Sequence, residues 1–351
     1  MSEGSEALAT RTFADVHAIE QELEHVRWRL RPDGQMDEAA EHAAAEARAS
    51  VLNLITVVTT ENQLASVERV LDGLSNTNPS RSLVLLAQQE RTGGKLEARI
   101  SAQSRTESGH RVMTEEVLIH AHGQVAAHLA SIVTPLLIPD LPVIVWWPGR
   151  PAFDSQLFND LCLLADRLVV DTDDGFEPPD FPRLLAVARR DHAHASIGDF
   201  NWARLIAWRH VAAQFFDIPG MLPLLAQIQG VTVWHGIDRG TAQAQLLGGW
   251  MQSRMAKVGI EVPVELRPDE AHDHDVTRFM IYTGSEDGPA RFSISRQAGG
   301  GLVTDIRIAG QDLGGRTVRM QPRPPAELLA IELTLPGHDV LYEDALAAVV
   351  Q

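Results

Sequence analysis

Basic residues are scarce in this chain, cysteine is nearly absent, and aromatic residues are few. Only 30 Lys and Arg stand against 47 Asp and Glu, a net charge of −17. A surface of that sign repels phosphate backbones and anionic headgroups, so neither nucleic acid nor membrane is expected as a partner. No Lys/Arg run exceeds two, and the densest pair is Arg189-Arg190. The single cysteine, Cys162, excludes an intramolecular disulfide and any multi-cysteine metal site, which fits a reducing cytosol. The first eleven residues carry Glu3 and Glu6 and no apolar stretch, so no secretory signal is expected. The one long apolar run, Leu129 to Pro148, is interrupted by Pro135, Pro139, Asp140 and Pro142. It reads as two buried elements joined by a turn, not as a membrane span.

Catalytic signatures are missing as well. No Gly-x-Gly-x-x-Gly follows a strand, so no dinucleotide cofactor is expected. Gly93-Gly94-Lys95 has Gln89 where a phosphate-binding loop needs its first glycine, and Leu96 where it needs Ser or Thr. Neither a Gly-x-Ser-x-Gly elbow nor a His-Glu-x-x-His helix occurs.

What is present is enough chain and enough apolar character for two domains: 351 residues, 44% apolar and 22% charged. Phe13 to Leu30 has the spacing of an amphipathic helix. Alanine-rich residues 37–49 predict a second helix, and Pro32 and Gly34 place a boundary at 31–36. From Leu52 the pattern alternates strand and helix: strand Leu52–Val58, helix Leu64–Leu74, strand Ser82–Ala87. Leu96–Ser101 and Glu116–Ala121 follow as strands nearer an edge, then a helix over Val125–Thr134, a central strand Val143–Trp147, a helix Leu157–Leu164 and a strand Leu168–Asp171. Near-continuous apolar strands are those of a parallel sheet covered on both faces. Asp173 to Pro182 reads as the linker.

The second half predicts helices Phe181–Arg190 and Phe200–Phe216, a strand Val231–Trp234, a helix Ala242–Val258, and a meander of short alternating runs from Val262 to Arg319. The fold class is therefore α/β: an N-terminal helix and linker over 1–36, one mixed-sheet α/β domain over 37–175, and a second over 176–351 that ends in an antiparallel meander.

Three His-x-His pairs, His120/His122, His192/His194 and His272/His274, raise a metal reading, since imidazoles two residues apart on a strand share a face. No further ligands are identifiable, and Asp269 to Asp275 reads as a solvated acidic loop, so no metal is expected. Trp146-Trp147 are adjacent on a strand and must face opposite sides. The segment Asp199 to Arg209 has Asp199 as an N-cap and an apolar helix carrying Trp202, Arg204, Trp208 and Arg209. Arginines held there need a carboxylate or phosphate, with Asp166 or Asp217 as structural candidates. A rival reading gathers Arg81, Arg167, Arg204 and Arg209 into a clamp for a sugar phosphate.

At Asn78-Pro79-Ser80-Arg81-Ser82, Leu137 to Gly149, Leu164-Ala165-Asp166-Arg167 and Trp202 to Arg209, the chain resembles the OpcA family of glucose-6-phosphate dehydrogenase assembly proteins. The resemblance implies a cytosolic, non-catalytic assembly factor or allosteric activator of carbohydrate metabolism, with that dehydrogenase as partner in the oxidative pentose phosphate pathway. Because Trp and Arg dominate interface energetics, Arg81, Trp146, Trp147, Arg167, Trp202, Arg204, Trp208 and Arg209 are the partner-binding candidates. Two departures stand out. Family members in photosynthetic bacteria are associated with redox control through several cysteines, whereas Cys162 is alone here, and the Pro-Ser-Arg motif, often preceded by His, follows Asn78.

Overall fold

A computed structural model describes residues 16–29, 51–74, 79–107, 110–173, 175–177, 180–189, 195–272, 275–284, 288–334 and 337–351. The helix expected over 37–49 lies outside them. Two compact units are present, Met1–Val170 with His192–Ser196, and Asp171–Asp191 with Ile197–Gln351.

In the first unit, helix α1 (Val16–Arg29) buries Ile19 and Leu23. Strand β1 (Leu52–Val58) is buried at every residue, as β-branched and leucine side chains on both faces require. Helix α2 (Glu61–Leu74) follows, burying Leu64, Val67, Leu71 and Leu74 at three- and four-residue intervals. It leads to β2 (Ser80–Gln88), parallel to β1. The hairpin β3 (Lys95–Glu107) and β4 (His110–His122) is longer than the alternation predicts, 13 residues in each strand. β3 is the edge, but β4 lies inside, parallel to β2.

The helix expected over Val125–Thr134 is broken into α3 (Gln124–Ala127), α4 (Leu129–Val133) and a 3-10 turn, Thr134–Leu136. Pro135 cannot donate to a continuing helix, and His128 leaves helical geometry with ψ 16°. β5 (Val143–Trp147) then pairs in parallel with β1 on the side away from β2. Helix α5 (Gln156–Leu164), capped by Ser155, leads to β6 (Arg167–Val170) beside β5. The sheet order is β3-β4-β2-β1-β5-β6-β7, with β7 at Ser196–Asp199.

The second unit opens with α6 (Asp180–Ala188). The helix predicted over Phe200–Phe216 is two, α7 (Phe200–Arg204) and α8 (Ile206–Gln214), separated at Leu205. After α9 (Leu222–Leu225), β8 (Ile228–Gly236), α10 (Thr241–Ala256) and β9 (Val264–Asp269) form a parallel strand–helix–strand unit. The first run of the expected meander is thus a parallel strand. The antiparallel part is β10 (Val276–Thr283), β11 (Ala290–Arg296) and β12 (Leu302–Ile308), with short strands β13 (Gln311–Asp312) and β14 (Thr317–Val318) paired to β12. The order is β13-β12-β11-β10-β8-β9.

Helices α11 (Pro325–Thr334) and α12 (Val340–Val350) complete the unit. Adjacent glycines let α10 approach two neighbours at once. A Cβ on Gly248 would stand 2.5 Å from a Val264 methyl of β9, and one on Gly249 would run into the Ala345 carbonyl of α12.

Candidate functional site

Strand order points to where a concavity should lie. From β1 the chain moves through α2 to β2 on one side, and later returns through α3 and α4 to β5 on the other. In such sheets the crevice lies outside the carboxyl ends of the strands where the direction reverses. A cavity of about 490 Å³ is found there, with Val57, Ala87 and Trp147 at strand ends and Thr60, Gln89 and Ser155 in the following loops.

The residues at this place do not fit a dinucleotide. A pyrophosphate needs glycines so that backbone can approach it, and free N–H groups at the helix start. Between Val58 and Leu64 the chain reads Thr-Thr-Glu-Asn-Gln, with no glycine. The Gln63 side-chain oxygen folds back and accepts from the backbone N–H and the hydroxyl of Thr59, each at 3.0 Å. The Gln63 N–H donates in turn to the Thr60 hydroxyl at 3.2 Å. Glu61 adds a carboxylate to the first helical turn. The helix start is capped by the chain itself, with negative charge where phosphate would sit.

Beside the crevice, Gln88 lies within hydrogen-bond distance of His120 (2.9 Å), and the Nε2 atoms of His120 and His122 are 2.7 Å apart. Desolvation, and then His122, hold His120 below the usual histidine range. The first His-x-His pair therefore does share a strand face. His192, His194 and His274 fall outside the described residues, and His272 pairs with Asp269 at 3.1 Å. Among the described residues no group of three or more His, Cys, Asp or Glu is arranged to hold a metal.

The eight sequence candidates divide by burial. Arg81 is buried at the start of β2, donating to Glu115 of β4 (2.8 and 2.5 Å) and to the Leu136 carbonyl (2.6 Å). Arg167, also buried, donates to Ser196 at 3.2 Å. Both enter at the amino ends of their strands, opposite the crevice, and β2 and β6 are three strand positions apart, roughly 14 Å. A four-arginine phosphate clamp is therefore not assembled. Trp146 and Trp147 face opposite sides, as the pleat demands, yet both are buried because β5 is covered on both faces. Trp147 meets Phe158 edge to face at 5.4 Å.

The remaining four belong to the second unit. Arg204 grips Asp171 through two bonds, at 2.7 and 2.8 Å. Neither Asp166 nor Asp217 is its partner, and Asp166 instead accepts from the Val143 N–H. Burial lowers the Arg204 pKa while Asp171 raises it, and the net shift is upward. Arg209 stacks on buried Trp202, 3.4 Å from the ring centroid, and donates to the Trp202 carbonyl at 3.1 Å. Desolvation, only partly countered by Asp339 and Glu332, brings Arg209 down to about 10. The Trp202 indole N–H donates to Asp339, the N-cap of α12, at 2.7 Å. Trp208 is 1% exposed.

Sequence reasoning identified Asp199 only as a cap. It does accept from the Asn201 N–H, but it also takes the Thr172 hydroxyl (2.7 Å) and the Tyr342 hydroxyl (3.2 Å) at a fully buried position. Desolvation, and then Asp171, push its carboxyl up to about 7 against those hydrogen bonds. Nothing local in the sequence signals Tyr342, which is 143 residues away.

Comparison with known proteins gives a family. Residues 72–187 match the glucose-6-phosphate dehydrogenase subunit N-terminal domain, and residues 195–346 match the C-terminal domain of the same name. The putative OxPP cycle protein OpcA of Synechocystis is 28% identical over 190 residues, 53% of this chain and 39% of that protein. Its namesake in Synechococcus elongatus is 26% identical over 257 residues, 63% and 55% of the two. The matched stretches thus span about half or less of those relatives. Among solved structures, the 3-ketoreductase KijD10 of Actinomadura kijaniata is similar at a TM-score of 0.47 and 13% identity over 85% of this chain and 94% of that one. A scyllo-inositol dehydrogenase from Lactobacillus casei gives 0.40 and 11% over 86% and 93%. With both family domains in order along its length, the chain belongs to the OpcA family of glucose-6-phosphate dehydrogenase assembly proteins.

Proposed function

We propose that the chain is a non-catalytic partner of glucose-6-phosphate dehydrogenase that binds the enzyme in the cytosol and favours its active form in the oxidative pentose phosphate pathway. The observation that carries this reading is the self-capped crevice. The fold offers the position of a dinucleotide site, and beside it the helix start is capped by Thr60 and Gln63 and carries the Glu61 carboxylate. A chain so built is suited to acting on another protein, and both matched domains are named for that dehydrogenase. None of the described helices is long and apolar enough to cross a membrane. The buried candidates hold the fold, Arg81 through Glu115 and Trp202 through Asp339. Of the eight, Arg204 and Arg209 keep partial exposure, which supports them as the candidates for a partner contact.

The test is steady-state kinetics of the cognate dehydrogenase with and without the chain. The expected result is a saturable rise in kcat/KM with added chain, and no turnover by the chain alone with either nicotinamide cofactor. An unchanged dehydrogenase, or sustained turnover by a preparation free of it, would overturn the reading.

A further inference from the structure

Among the described residues of the second unit, α8 and α10 pack against one side of its sheet. Val231, Val233, Phe279, Ile281, Phe292, Ile294 and Leu302 point to the side of α8 and α10 and are buried. Residues of opposite parity form an outer face whose register follows from the pairing. Trp234 lies between Arg267 of β9 and Arg278 of β10, while Thr232 and Met280 form the next row and Tyr282 the row after, beside Arg291 and Arg307. The two guanidiniums flank the indole at 5.6 and 5.5 Å. Arg278 is exposed and Tyr282 is 37% exposed.

On a chain of net charge −17 this face carries four arginines. Its carboxylates are already engaged: Glu265 with Arg267 at 2.8 Å, and Asp305 with Arg307 at 3.4 Å and Arg291 at 4.0 Å. Arg278 has only the Trp234 ring, with no carboxylate at ion-pair distance among the described residues. Trp, Tyr and Arg are the residue types that dominate interface energetics.

We infer that this open face is the docking surface for an acidic partner, one that presents a carboxylate to Arg278 beside an apolar patch for Trp234 and Tyr282. The inference rests on the proposed function and takes the dehydrogenase as that partner. Charge selects the occupant. A second copy docked face to face brings no free carboxylate to Arg278 from Glu265 or Asp305, which are held by their own arginines. Nucleic acid is disfavoured by the interleaved carboxylates and the overall charge. An acidic partner is repelled by the rest of the molecule and attracted at this face, which fixes where it docks.

The experiment compares binding of the dehydrogenase by the full chain, by Arg278→Glu, by Trp234→Ala, and by Arg69→Glu, an exposed control on α2. Melting curves and sedimentation of each protein alone accompany the isotherms. The expected result is at least about a tenfold loss of affinity for Arg278→Glu, with unchanged melting and an unchanged response for Arg69→Glu. Normal binding by a folded Arg278→Glu variant overturns the docking face and leaves the proposed function standing. Failure of the unaltered chain to bind the dehydrogenase overturns both. A dimer of the unaltered chain that Arg278→Glu dissociates assigns the face to a second copy and overturns the inference.

Discussion

The two sheets solve the same burial problem differently. In the first, β1, β2, β5 and β6 are apolar at nearly every residue and buried on both faces, so function can reach solvent only at strand ends. In the second, one face of β8 to β12 is core and the other carries Trp234 of β8, Arg278 and Tyr282 of β10, and Arg307 of β12. The difference shows up in what an arginine does. Arg81, in the first sheet, is sealed against Glu115, whereas Arg278, in the second, stands over an indole in solvent. Residue type is the same, and coverage of the sheet decides whether it holds the fold or is available to a partner.

The largest expected effect tests the sealed pair. Arg81→Ala removes the buried guanidinium from the Glu115 carboxylate and the Leu136 carbonyl and should cost about 3–5 kcal/mol in urea unfolding of the first unit. Arg278→Ala should change stability by no more than about 0.5 kcal/mol. Equal costs would break the comparison.

The next effect is a pH dependence. The Asp199 carboxyl rises from 3.8 to about 7 on folding, so the folded state holds a proton that the unfolded state has released. Its contribution is fully present below about pH 4 and is lost as pH climbs to about 7, with a slope of at most about 1.4 kcal/mol per pH unit. Unfolding of Asp199→Asn, followed over that window, should show a correspondingly flatter profile than the parent. Identical profiles would remove Asp199 as the source.

Smaller still is the helix contact behind the open sheet. Gly249→Ala places a methyl against the Ala345 carbonyl of α12 and should cost about 1–3 kcal/mol in thermal unfolding. Affinity of the folded fraction for the dehydrogenase should stay unchanged, because α10 lies on the covered side.

The smallest effect probes the crevice. Gln63→Ala removes the oxygen that caps Thr59 and should lower stability by about 0.5–1.5 kcal/mol. It should not create nicotinamide dinucleotide binding in a titration followed by fluorescence, because Glu61 and the missing glycines remain.

Much of the site was legible because it is local. Asp199 as an N-cap needs only its neighbours, since the Asn201 N–H it accepts is two residues away. The opposite orientation of Trp146 and Trp147 needs only the pleat. The partner of Arg204 was misplaced for the converse reason. Asp171 and Asp166 are equally plausible along the chain, and only the start of the second unit brings Asp171 to the guanidinium while Asp166 is spent on the Val143 N–H. From the sequence β9 reads as part of a meander, because alternation reports one covered face and is silent on direction. Its parallel pairing with β8 comes from α10 crossing between them.

By itself the sequence determined that this is an acidic α/β chain of two sheet domains, without a glycine-rich phosphate loop, carrying the motifs of one family. Those are properties of composition and short-range pattern. Only the tertiary structure decided that a crevice lies beside the helix start that Gln63 caps, that Arg81 is buried against Glu115, that Tyr342 reaches Asp199, and that four arginines from four strands share one face. Each of these joins residues through strand register and helix packing, and a one-residue change of register would send the same side chains to the opposite face.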